Sequence, residues 1–128
     1  EIINIIEYQD QKLQPKEIYL TTVVDPEGYI YEKINGLEAR IPNAKVSLFW
    51  LNPATNKYEI WPAKNYQQTN PQITDETGKY SFLVPAGTYK IEVAAPWYKD
   101  YKGQDMQVSQ GNAVHQNIEL KKKRFWLF

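Results

Sequence analysis

Thr74-Asp75-Glu76-Thr77-Gly78-Lys79-Tyr80-Ser81-Phe82-Leu83-Val84-Pro85-Ala86-Gly87-Thr88-Tyr89-Lys90-Ile91-Glu92-Val93-Ala94-Ala95-Pro96 decides how this chain folds. It reads as turn, strand, tight turn, strand. Asp75 to Gly78 has the Asx-x-x-Gly chemistry of a turn, and Pro85-Ala86-Gly87 breaks the pattern again, so 79–84 and 88–95 are expected to pair as a hairpin. Alternation assigns the faces. Tyr80, Phe82 and Val84 share one side of the first strand against Lys79 and Ser81; Tyr89, Ile91 and Val93 share one side of the second against Lys90 and Glu92. One face is core and the other is wet.

Working outward, Ile2, Ile3, Ile5 and Ile6 favour extended structure in a run too short to span a bilayer, so residues 1–16 are an N-terminal strand or leader. Residues 17–24 form a strand that Asp25-Pro26-Glu27-Gly28 ends as a type I turn, and 29–32 returns. Residues 33–43 hold Asn35-Gly36 and Pro42 without a usable period, which reads as a crossing connection rather than a hairpin tip. Residues 44–51 are the next strand, with Phe49 on its second face, and Asn52-Pro53-Ala54-Thr55-Asn56 turns the chain back into 57–61. After an irregular, amide-rich 62–73 and the central hairpin, 97–103 is a loop, and 106–108 and 114–120 are closing strands. No segment carries a helical period and no repeat is visible. The expected fold class is all-β, an antiparallel two-sheet sandwich of seven or eight strands spanning 17–120, followed by a basic-aromatic tail at 121–128. Its expected core is Ile30, Val46, Leu48, Trp50, Tyr80, Phe82, Val84, Tyr89, Ile91, Val93, Ile118 and Leu120.

Composition narrows the function. The chain has 128 residues, 42% of them hydrophobic, enough for one domain with a self-sufficient core. Fifteen basic residues balance fifteen acidic ones, so no global field holds nucleic acid. The absence of cysteine removes thiol catalysis, disulfides and thiolate metal sites. Ten Tyr and four Trp against four Phe tilt the aromatic content to amphipathic rings suited to half-exposed strands. The opening at Glu1, with no signal-like segment, reads as an excerpt or a mature form.

The series Gly28-Tyr29-Ile30-Tyr31, Ile41-Pro42-Asn43-Ala44-Lys45-Val46-Ser47-Leu48, Thr74 to Phe82, Val84-Pro85-Ala86-Gly87-Thr88-Tyr89 and Ala95-Pro96-Trp97-Tyr98 resembles carboxypeptidase regulatory-like domains. These are transthyretin-like, or prealbumin-like, sandwich modules common in bacterial surface and secreted proteins. The resemblance implies a non-catalytic structural or accessory module, extracellular or at the cell surface, whose partners are neighbouring domains of a larger parent chain. Trp97 departs from the family, standing where Gly is usual before the Tyr. In a related group, the B-type repeats of collagen-binding adhesins, a buried acid closes a Lys–Asn isopeptide bond. Here Val93 takes the acid's position and Val23 roughly that of the lysine, so that bond is not expected.

Individual residues supply no catalytic constellation. His115 shares parity with Asn117 and Glu119 and reads as a surface residue. Turn chemistry accounts for Asp25 and Asp75 without an ion, and no D-x-D-x-D spacing appears, so neither metal nor cofactor is assigned. Ser47, Ser81 and Ser109 lie in strands, outside any nucleophile elbow. The candidate binding site is aromatic: Tyr58, Trp61 and Tyr66 with the amides of Asn65, Gln67, Gln68 and Asn70, joined by Trp97, Tyr98 and Tyr101 from a second loop. Flat rings stack on sugar faces while amides take the hydroxyls, which makes polysaccharide the candidate ligand; the alternative is that Trp61 and Tyr66 cover the core beneath a long loop. A free sheet edge contacting another protein is a third option. The tail admits three readings: the edge of an excised fragment, the start of a membrane segment, or an interfacial anchor that brings the domain to a membrane; the favoured expectation is a domain of a longer, membrane-anchored surface protein.

Overall fold

The computed structural model describes residues 27–109, 113–114 and 116–124; the expected strands at 1–8 and 17–24, the start of the Asp25 turn, His115 and residues 125–128 lie outside the described residues. The chain first runs through β1 (Glu27–Ile34) and β2 (Leu37–Arg40), which pair antiparallel from Tyr31↔Arg40 to Ile34↔Leu37. Asn35-Gly36 is thus a hairpin tip, against the crossing connection expected there. Asn35 at φ 52° and Gly36 at φ 82° supply the two consecutive left-handed residues that a tight hairpin turn requires. The crossing lies just beyond, where residues 41–44 pass to the second sheet. Buried Thr74 clamps it: its hydroxyl donates to the Ile41 carbonyl (2.7 Å) and accepts from the Ala44 N–H (2.9 Å).

β3 (Lys45–Asn52) and β4 (Lys57–Ile60) form the expected hairpin around the Asn52–Asn56 turn. After β5 (Gln72–Ile73) come β6 (Lys79–Leu83) and β7 (Gly87–Ala94), then the short β8 (Tyr101–Lys102), β9 (Met106–Val108), β10 (Ala113–Val114) and β11 (Ile118–Glu119). One sheet has the order β10-β6-β1-β11 with β2 on β1; the other has β4-β3-β7-β8 with β5 on β3 and β9 on β7. The all-β two-sheet sandwich is therefore present. Among the described residues its ladders are antiparallel except for β1 and β11, which pair parallel, and the eleven strands described there include two- and three-residue pieces beyond the seven or eight longer strands expected.

The expected 79–84/88–95 hairpin does not form, because β6 and β7 belong to opposite sheets. The Pro85-Ala86-Gly87 segment takes no positive φ, so it makes an arch between layers rather than a tight turn within one. The Tyr89 hydroxyl fastens the arch by donating to the Pro85 carbonyl (2.8 Å). The inward faces read from alternation are right all the same. Tyr80, Phe82 and Val84 from one sheet and Tyr89, Ile91 and Val93 from the other are all buried and pack as one core. Every expected core residue is buried except Trp50, which is half-buried against it, and Ile41, Ala44, Trp61, Ala63 and Val114 join.

The single closing strand expected at 114–120 is also broken. Val114 pairs with Phe82, whereas Ile118 pairs with Ile30, and between them Gln116 crosses β1 directly over Gly28. A Cβ on Gly28 would stand 2.5 Å from the Gln116 carbonyl oxygen, so only glycine admits this crossing. Tyr80 holds the crossing from within. Its hydroxyl donates to the Gln116 carbonyl and accepts from the Gln116 N–H, and burial pushes its pKa well above the usual phenol value.

Candidate functional site

Trp61 follows β4 directly, and its N–H donates to the Leu48 carbonyl (2.9 Å), extending the β3 ladder by one residue. Parity then turns its ring inward. The indole is 2% exposed, edge-on to Phe82 at 6.3 Å and 90°, so it seals the two sheets together at the β4 edge. Tyr66, at the end of the 3-10 turn Ala63–Tyr66, stacks on it at 5.0 Å and 22° and is itself 46% exposed. Asn65 and Gln67 are exposed, and Gln67 (φ 57°) ends the turn in the left-handed region with its N–H on the Lys64 carbonyl. The arrangement brings Trp61, Tyr66, Asn65 and Gln67 into one loop and leaves Tyr66 as its accessible ring.

The remaining amides of that loop face the backbone. Gln68 donates to the Leu83 carbonyl (2.8 Å) and accepts from the Leu83 N–H (3.0 Å); Gln72 does the same with Ser81 at 2.6 and 3.0 Å. Together they satisfy the backbone groups of Ser81 and Leu83 in β6 as a neighbouring strand would. Asn70 turns the other way, accepting from the Leu48 N–H (3.0 Å) and donating to the carbonyls of Leu48 (2.8 Å) and Trp61 (3.0 Å). Three side chains thereby stitch the open seam between β3 and β6. The sequence offered Gln68 and Asn70 as amides for a ligand's hydroxyls; the structure places both against strand backbones, a role that composition alone did not signal.

The second aromatic loop lies on the far side of the sheet. In the order β4-β3-β7-β8, Trp61 and Tyr66 border the β4 edge while Tyr101 sits in β8, paired with Val93, so β3 and β7 separate the two groups. No common surface unites them. Trp97 is 66% exposed. The Tyr98 hydroxyl donates to Glu32 Oε2 (2.6 Å), and burial followed by that bond pushes its pKa up to about 12. Tyr101 accepts a hydrogen bond from Gln116 Nε2 (3.2 Å) and borders a groove of about 610 Å³ lined by β8, β9, Val114 and Gln116. Tyr58, on the outer face of β4, lies under the Lys90 ammonium, 4.0 Å from the ring centre. Among the described residues, no group of three or more His, Asp or Glu could hold a metal ion.

Two stacked layers, the Thr74 clamp and the β6–β7 arch coincide with a family match over residues 21–121 to the carboxypeptidase regulatory-like domain. The chain belongs to that family. As a carboxypeptidase regulatory-like domain it is a non-catalytic β-sandwich module. No curated protein matches the chain. Membership also gives Trp97 a physical meaning. It has φ 76°, a conformation that glycine adopts without strain and a bulky residue does not, which is why the family resemblance places Gly at this position.

Proposed function

We propose that this domain is a structural or accessory module of an exported cell-surface protein, a rigid spacer that holds neighbouring domains of its parent chain apart. The observation that carries this reading is the use of Gln68, Asn70 and Gln72. The loop richest in ligand-binding chemistry spends three amides on the backbone of β3 and β6, closing the sandwich rather than displaying donors outward. Membership of a non-catalytic family supports the same reading, and the exported setting is what the sequence resemblance implies. The test is a polysaccharide and glycan panel read by tryptophan fluorescence and calorimetry. A spacer gives a flat response in the folded parent. Saturable binding to one glycan class, abolished by Tyr66→Ala or Trp97→Gly in a folded protein, would replace it with a carbohydrate-binding module.

A further inference from the structure

One pole of the sandwich gathers cations around exposed apolar side chains, and the gathering is built by backbone pairing. Beyond Leu120 the chain pairs with the Trp97 loop: Lys99 N–H donates to the Lys121 carbonyl (2.8 Å), Lys123 N–H donates to the Trp97 carbonyl (2.9 Å), and Tyr98 and Lys122 form an antiparallel bridge. The basic run Lys121-Lys122-Lys123-Arg124 is therefore held alongside Trp97 instead of trailing from the fold. The β1–β2 hairpin joins the same pole. Glu32 receives the Tyr98 hydroxyl and lies 3.8 Å from the Lys122 ammonium. Two residues on, the last pair of that hairpin, Ile34↔Leu37, is 49% and 74% exposed. Carboxylates temper part of the charge, since Glu119 holds Lys121 at 2.9 Å, Glu32 faces Lys122 and Asp100 follows Lys99. Lys99, Lys123 and Arg124 are exposed. In sequence the run continues as Phe125-Trp126-Leu127-Phe128, the same mixture of aromatic and aliphatic side chains.

We propose that this pole docks on an anionic phospholipid bilayer. Trp97, Ile34 and Leu37 enter the headgroup layer, where an amphipathic indole and short aliphatic chains are stable, while Lys99, Lys123 and Arg124 meet the lipid phosphates and carboxylates. A protein partner would be matched by an apolar centre with a charge-depleted core. This surface instead sets isolated apolar side chains among charges in which cations outnumber carboxylates, the pattern complementary to an anionic headgroup plane.

The experiment is co-sedimentation of the 128-residue chain with vesicles of phosphatidylcholine alone and of phosphatidylcholine mixed with phosphatidylserine, at low and high salt. The parent is expected to bind the mixed vesicles and to release with salt. Lys123→Glu with Arg124→Glu should weaken that binding about tenfold or more. Trp97→Gly, which suits the local backbone, and Leu37→Ser should each weaken it several-fold while a cooperative thermal melt shows the variant folded. Absence of binding to the mixed vesicles overturns the proposal. So does binding equal on neutral vesicles, which removes the role of lipid charge, or binding undiminished in all three variants, which removes the pole's side chains from attachment.

Discussion

The two aromatic loops of this domain, around Trp61 and around Trp97, have similar compositions and opposite fates. Each sets a tryptophan near tyrosines and polar side chains, yet Trp61 is sealed into the core while Trp97 stands 66% exposed. The difference lies in the backbone that leads to each ring. Trp61 inherits the pleat of β4 through its bond to Leu48, so its side chain must point into the sandwich. Trp97 sits past the end of β7 in left-handed backbone, where no ladder dictates a face. An aromatic residue one step beyond a strand obeys that strand, and one inside a loop obeys the loop.

The sharpest way to break this contrast is to truncate both rings. Trp61→Ala removes a fully buried ring from between the sheets and should cost about 3–5 kcal/mol in urea unfolding, enough to threaten folding altogether. A parent-like melt would overturn its assignment to the core. Gln68→Ala comes next, because it strips both backbone partners from Leu83; a loss of about 1–3 kcal/mol is expected. Asn65→Ala, at an exposed position of the same loop, serves as the control that should change stability little.

Trp97→Gly has the opposite sign. Relief of left-handed strain, partly offset by the entropy of glycine, should stabilise the domain by about 0.5–1 kcal/mol, seen as a raised melting temperature. A drop would mean that the exposed ring supports the fold after all. The smallest effect is pH-dependent. The Tyr98 phenol is pushed from 10.0 up to about 12, so its contribution to stability is complete below its ordinary value and fades as pH rises through the raised one. Tyr89, raised to about 12 by burial and then by the neighbouring Tyr66, acts in the same direction. Urea midpoints measured at rising alkaline pH should therefore decline above about pH 10, and Tyr98→Phe should flatten part of that decline. At the acid end Asp75, held below its usual value by the Thr77 hydroxyl and N–H, adds stability present above 3.8 and lost as pH falls through its lowered pKa.

Much of the candidate site escaped sequence reading for one reason: composition says what a side chain can do, and tertiary structure says to whom. Asn65 and Gln67 look no different in sequence from Gln68 and Asn70, yet the first pair is exposed and the second is bonded to strands far away in the chain. Trp97 is the converse case, since its departure from the glycine usual in the family already singled it out, and its φ of 76° supplies the cause.

What the sequence determined by itself was local. Alternation at Tyr80–Phe82–Val84 and Tyr89–Ile91–Val93 named the buried faces, because side-chain parity is a property of each strand alone. Turn chemistry at Asn52–Asn56 placed a hairpin, and the ordered set of turns and strands identified a sandwich. What only the tertiary structure decided was which strand lies beside which. A strand that alternates looks the same whether its successor pairs with it or faces it across the core. The assignment of β6 and β7 to opposite sheets, the break of the closing strand over Gly28 and the amide bonds to the backbone of β6 therefore depend on contacts between distant residues, where burial and hydrogen bonding are settled together.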